Sequence, residues 1–159
     1  MNKARQILID TNLLVLFIVG ITDPKLIELH KKTKNFEIED FEMLNNFMGA
    51  YQKVLVTPHI LTETSNLISY IQDPYKTSLM RTLKNFTLRV EEKIEASSNV
   101  AEHQTFLRLG LADAGILSQL DQSVDMVTAD LQLYLSASRL HPERAMNFNH
   151  LRQQRIFSA

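Results

Sequence analysis

Residues Gln6–Gly20 read QILIDTNLLVLFIVG, and the polar break in the middle of this stretch decides the fold. Gln6–Asp10 is a short apolar run ending on a carboxylate, the pattern of a strand buried in a sheet. Asn12 follows as a residue able to cap a helix that runs through about Val19. The uninterrupted apolar run Leu13–Val19 is seven residues long, far short of the about 20 that a spanning helix needs. No small-residue cleavage site follows it. Despite the early cations Lys3 and Arg5, the stretch reads as a buried strand entering a buried helix. The expectation is a cytoplasmic protein with no membrane partner.

Working outward, Asp23-Pro24 starts a helix through about Lys32, because proline suits a first helical position. Phe41, Leu44, Phe47, Met48 and Tyr51 recur at helical spacing across 39–52. Val54–Thr57 (VLVT) is a second strand, and Pro58 opens a helix with Ile60, Thr64, Leu67, Ile68 and Ile71 inward. The segment 75–96 reads both ways: Leu79, Leu83, Phe86, Val90 and Ile94 are helically spaced, while Phe86, Leu88 and Val90 alternate like a strand. The spacing favours helix. Gly110 ends one element, and Ala112–Leu120 is a helix with Ile116, Leu117 and Leu120 inward. Val124–Ala129 is a third strand, Asp130–Leu140 a helix, and Ala145–Asn149 an edge or last strand. Short apolar strands alternating with helices predict an α/β fold built on a parallel sheet.

The 159 residues suit a single domain, 1–159. The absence of cysteine excludes disulfides, Cys-ligated zinc and thiol nucleophiles. A formal net charge of −1 offers no global attraction to nucleic acid, so a polyanion would be held by local patches or a metal ion. Three candidate patches exist: His30-Lys31-Lys32-Thr33-Lys34; Lys76, Arg81 and Lys84; and Arg139, Arg144, Arg152 and Arg155. Each also reads as a solvated helix face. The histidines His30, His59, His103, His141 and His150 show no metal-binding spacing. There is no G-x-S-x-G turn and no Gly-rich phosphate loop.

Four acids stand out. In open α/β sheets, ligands bind outside the carboxyl ends of the strands. Asp10 follows QILI and Asp130 follows MVTA at that position. Glu63 lies about one and a half turns into the helix after the second strand, and Asp113 in the first turn of its own helix. Taken singly, Asp10 and Asp130 suit helix caps, Asp113 suits a helix N-terminus, and Glu63 suits a solvated helix face. Taken together they can project to one rim. Such a cluster of like charges persists when a hard, oxygen-bound divalent cation neutralises it.

Ile9-Asp10-Thr11-Asn12, Glu63, Leu109-Gly110-Leu111-Ala112-Asp113-Ala114 and Val127-Thr128-Ala129-Asp130, in that order, resemble the PIN-domain nucleases. The similarity is greatest to the single-domain toxins of VapBC-type toxin–antitoxin pairs, and it spans Ile7 to about Phe148. This resemblance implies a three-layer α/β/α sandwich around a mainly parallel sheet, with Mg²⁺- or Mn²⁺-dependent endoribonuclease activity. Asp10, Glu63, Asp113 and Asp130 match the family's acidic positions. Thr11, Asn12 and Thr128 match polar positions that hold the carboxylates or a water. The chain departs from the small toxins by extra length in 23–53 and 75–100.

The roles that follow are expectations. Asp10 and Asp113 are the principal metal ligands, Glu63 a ligand or water-orienting base, and Asp130 an outer ligand or part of a second metal site. Lys31, Lys32, Lys34, Arg81 and Lys84 are candidate RNA contacts. Partners implied are RNA, an antitoxin or other protein, and a second copy of the chain, for which 13–21 and 36–51 offer apolar surface or else core. A phosphatase using a strand-end aspartate wants Asp where Asn12 stands. A signal-receiver domain wants an acidic neighbour that Asp10 lacks. The remaining rival is a PIN-fold binding module with an idle acidic site.

Overall fold

A computed structural model describes residues 6–158. Lys3 and Arg5, with the rest of 1–5 and Ala159, lie outside the described residues. In chain order the elements are β1 Gln6–Ile9, α1 Thr11–Thr22, α2 Leu26–Leu29, α3 Ile38–Gly49, β2 Lys53–Val56, α4 Pro58–Ile68, α5 Tyr75–Thr87, β3 Glu91–Glu92, α6 Ser97–Ala101, α7 Phe106–Leu109, α8 Leu111–Ser118, β4 Val124–Thr128, α9 Leu131–Leu140, β5 Ala145–Asn147 and α10 Phe148–Ser158.

All strand pairs are parallel, in the order β3-β2-β1-β4-β5. The central strand β1 is covered on both faces, which is why Ile7, Leu8 and Ile9 are all buried and do not alternate with polar residues. Steps β1 to β2 to β3 move one way across the sheet, whereas the return to β4 and β5 moves the other. Right-handed crossovers then put α1, α4 and α5 on one face and α6 to α9 on the other. The helix contacts agree: α1 packs on α3, α4 and α5, and α8 on α6 and α7. The result is the α/β/α sandwich that the resemblance implies, on the parallel sheet that the strand and helix pattern predicts.

The reversal of strand order falls between β1 and β4, which pair in parallel from Gln6↔Val124 to Ile9↔Val127. That is the topological switch point, where the crevice beyond the carboxyl ends opens.

Several expectations are corrected. Helix α1 is capped by Asp10, whose side chain accepts from the Thr11 N–H, and not by Asn12, which is already helical. The helix expected from Pro24 to Lys32 is one turn, Leu26–Leu29. His30 ends it: its buried ring accepts from the Lys32 N–H and bonds the Ile68 carbonyl, while Thr33 donates to the Ile27 carbonyl. Together these bonds turn the chain back on itself.

The reading of 75–96 as helix holds only through Thr87. Phe86 packs edge-on against Phe17. The chain then enters β3, where Glu91 and Glu92 pair with Leu55 and Val56, leaving Leu88 74% and Ile94 77% exposed. Phe148 and Asn149, expected in the last strand, open helix α10 instead. The apolar residues of α1 from Leu13 to Val19 are core, Phe17 being partly buried, as are Phe41, Leu44 and Met48 of α3. Ile21, at the end of α1, stays 49% exposed.

Candidate active site

Two of the acids, Asp10 after β1 and Asp130 after β4, also cap the helices that follow them. Asp10 leaves β1 and caps α1; its Oδ1 accepts from the Thr11 N–H at 2.7 Å and its Oδ2 from the Thr128 hydroxyl at 2.7 Å. The Thr128 hydroxyl accepts from the Asp130 N–H at 2.9 Å. A hydroxyl carries one proton, so this acceptance leaves that proton for Asp10. Asp130 Oδ1 in turn caps α9 by accepting from the Leu133 N–H at 2.9 Å. From the β2 side, Thr57 caps α4 through the Ile60 N–H, with Pro58 at the first position. Glu63 follows on α4, and its Oε2 accepts from the Thr11 hydroxyl at 3.0 Å.

Asp113 arrives differently. Gly110 has φ 84 and ψ −179, a region that is essentially glycine's alone. This turn joins α7 to α8 and puts Asp113 in the first turn of α8. Asp113 accepts no hydrogen bond from the described residues, and its residue is half-buried.

The electrostatics tie the four acids together. The Asp113 carboxyl is pushed up to about 7, first by burial and then by the charges of Asp10, Asp130 and Glu63. Asp10 is also raised by burial, against the lowering effect of its bonds from Thr128 and Thr11; Asp130 and Glu63 add to the rise. Among the described residues no lysine, arginine or histidine pairs with any of the four. The acids thus feel one another without a counter-charge.

They do not, however, converge. Among the described residues no three Asp, Glu or His side chains stand close enough to hold a metal ion as placed. The hydrogen bonds explain part of this spacing, since the Thr11 hydroxyl holds Glu63 toward α1 and the Leu133 N–H holds Asp130 toward α9. Asp113, lacking such a bond, is the acid free to turn. In chemistry the donor set suits a hard divalent cation: carboxylate oxygens, hydroxyls behind them, and uncompensated negative charge.

The polar residues expected around the acids divide. Thr11 and Thr128 hold carboxylates, whereas Asn12 is exposed and its side chain bonds none of them. Asn149, which no sequence pattern singled out, donates to the carbonyl of Ala129 between Thr128 and Asp130.

One concavity lies away from these acids. A groove of about 800 Å³ is lined by Phe17, Ile21, Met48, Phe86 and Arg89 among others, and its only acid is Glu91, already paired with Lys53 and Lys93. Cavity size therefore does not locate the acidic rim; the strand topology does.

Of the basic patches, Lys31 and Lys32 lie over the Tyr70 ring, 5.5 Å and 4.7 Å from its centre, and Lys34 is exposed. Arg81 and Lys84 are exposed on α5. Lys84 borders a shallow groove of about 430 Å³ with Thr62 and Asn66 of α4. Three of the four arginines of the third patch are paired within the fold, Arg144 with Asp125, Arg152 with Asp40, and Arg155 with Glu37 and Asp40, while Arg139 is exposed on α9. Among the described residues no helix is long and apolar enough to cross a membrane. Comparison with protein families finds none that matches this chain, and comparison with curated proteins finds no relative.

Proposed function

We propose that this chain is a Mg²⁺- or Mn²⁺-dependent endoribonuclease of the PIN-domain kind, acting at the acidic rim formed by Asp10, Glu63, Asp113 and Asp130. The observation that supports the reading is the pair of bonds from Thr128 to Asp10 and from Thr11 to Glu63, which orient two of the acids beyond the carboxyl end of β1, with the Asp113 carboxyl raised to about 7 by burial and by the charges of Asp10, Asp130 and Glu63. Mutually repelling carboxylates with no basic partner are costly to a scaffold and are the pattern of a functional site.

The residues divide the work as follows. Asp10 and Asp113 would hold the cation, with Glu63 as a further ligand or as the base that orients water, and Asp130 outside them. Thr128 fixes the direction of the Asp10 carboxylate, and Thr11 that of Glu63. The bound ion supplies Lewis acidity and offsets charge building on the phosphate. In-line attack of water on phosphorus, with departure of the ribose 3′-oxygen, leaves a 5′-phosphate and a 3′-hydroxyl, as the resemblance implies. Lys31, Lys32, Lys34, Arg81 and Lys84 are the proposed backbone contacts on the RNA. The partners proposed are RNA, an antitoxin-type protein and a second copy of the chain.

A second reading draws on the unconverged acids: a PIN-fold module that binds RNA or protein with an idle site. Incubation of the purified protein with end-labelled RNA, with Mg²⁺ and with excess chelator, separates the two. Cleavage that needs Mg²⁺ and yields 5′-phosphate ends supports the nuclease. Retention of intact RNA in both conditions overturns it.

A further inference from the structure

Helix α10 reaches the acidic rim through a chain of oriented side chains. Asp40 of α3 is wholly buried, and its two oxygens bind Arg152 at 3.0 Å and Arg155 at 3.0 Å. Arg152 is held further by the Asn35 carbonyl at 3.1 Å and by its seat over the Phe36 ring, 4.8 Å from the centre. Its other terminal nitrogen donates to Oδ1 of Asn149 at 3.3 Å. A guanidinium only donates, so this contact fixes which way the Asn149 amide faces. The amide nitrogen is thereby turned to the Ala129 carbonyl, which it meets at 3.1 Å.

Ala129 is flanked by Thr128, which holds Asp10, and Asp130. The backbone of Asn149 is itself fixed by a bond to Oδ1 of the buried Asn147 at 2.9 Å. Helix α9 and helix α10 meet again where the Tyr134 and His150 rings pack edge to face.

We infer that Asn149 is a positioning residue for the acidic rim: its amide, oriented by Arg152 on Asp40, holds the Thr128–Asp130 turn and so sets where the Asp10 and Asp130 carboxylates point. This role rests on the nuclease reading of that rim. It also makes α10 part of the site, although α10 contributes no acid.

The variant Asn149→Asp keeps the shape and the Arg152 contact but turns an oxygen toward the Ala129 carbonyl. The expected result is a Mg²⁺ concentration for half-maximal RNA cleavage raised about fivefold or more, in line with partners behind metal ligands, and a maximal rate that falls less. Amide exchange at Asp130 and Leu133 should accelerate while exchange in β1 and β2 stays unchanged. Arg152→Lys retains charge beside Asp40 but loses the hold on Asn149, and should shift both readouts the same way by less. It decides the matter if Asn149→Asp does not fold. An unchanged Mg²⁺ midpoint with unchanged Asp130 exchange overturns the role, as does exchange accelerated evenly across the sheet. Should the unmodified chain cut no RNA with Mg²⁺, the nuclease reading falls, and exchange at Asp130 alone then decides whether Asn149 holds the turn.

Discussion

The hydroxyl of Thr128 donates to Oδ2 of Asp10 at 2.7 Å, across 118 positions of sequence, and this bond joins the carboxyl ends of the two strands between which the sheet reverses. Replacing Thr128 by Val removes the donor while nearly preserving shape, and leaves a buried carboxylate short of one bond. Stability should fall by about 1–3 kcal/mol, measured by denaturant unfolding at pH 7. Mg²⁺-dependent cleavage should drop by about 10- to 100-fold. Thr128→Ser, which keeps the hydroxyl, should recover most of both. Wild-type stability and cleavage in Thr128→Val would falsify the role given to this bond.

The acids themselves make the sharpest test of the chemistry. Asp10→Asn and Asp113→Asn each keep the shape of the side chain and remove its charge. Each should reduce RNA cleavage by about a hundredfold or more, beyond the usual effect of losing an outer partner, with the circular dichroism spectrum unchanged. Cleavage within a few fold of the parent in either variant would sink the ligand assignment.

Asp113 also predicts how stability follows pH. Its carboxyl is raised to about 7 in the folded chain from an ordinary value of 3.8, so the folded chain binds this proton more tightly than the unfolded one. Protonation therefore favours folding. That advantage is complete below about pH 4 and is lost as pH rises through about 7. Without divalent ions, Asp113→Asn should melt higher than the parent at pH 8, by about 2–4 °C for each ~1 kcal/mol relieved, and the gap should close toward pH 4. Adding Mg²⁺ at pH 8 should raise the parent's melting temperature and leave the variant's nearly unmoved. A parent more stable than Asp113→Asn at pH 8 without metal would contradict the electrostatic account.

Gly110 offers a backbone test. A Cβ there meets no neighbouring atom, yet φ is +84, so any cost of Gly110→Ala comes from conformation alone. The expected loss is about 1–3 kcal/mol. Because this turn launches the helix that carries Asp113, cleavage should fall by more than the lost stability explains when compared at a temperature where both proteins are folded. An alanine variant with parental stability would show that the strain is absent.

The parts of this fold that could be read from the chain are those whose signal is local. Ile7, Leu8 and Ile9 are apolar without alternation because they are buried on both faces, VDMVT is buried throughout although it carries Asp125 and Thr128, and Pro58, Thr57 and Gly110 act within a few residues of their own positions. The acids could be found because the carboxyl ends of buried strands are recognisable from the strands. What escaped reading depends on partners distant in sequence. Glu91 and Glu92 have no strand character of their own and become β3 because Leu55 and Val56 offer an unpaired edge. Arg152 and Arg155 look like a basic surface patch until α10 folds against the buried Asp40, which takes both charges. Asn149 is one of many asparagines in the sequence, and only the packing of α10 brings it to Ala129.

From residue order alone came the α/β class with its parallel sheet and the placing of the four acids, since periodicity and chain position suffice for these, while Thr11 and Thr128 came through the resemblance to PIN-domain nucleases. Tertiary structure decided the strand order, and with it that Asp10 and Asp130 share a switch point. It also decided that Arg152 and Arg155 of the C-terminal helix pair with the buried Asp40, and that Asp113 holds its proton far above an ordinary aspartate. The reason is physical: backbone propensity and burial pattern act over a few residues, whereas desolvation and charge repulsion act through space and exist only once the chain has folded.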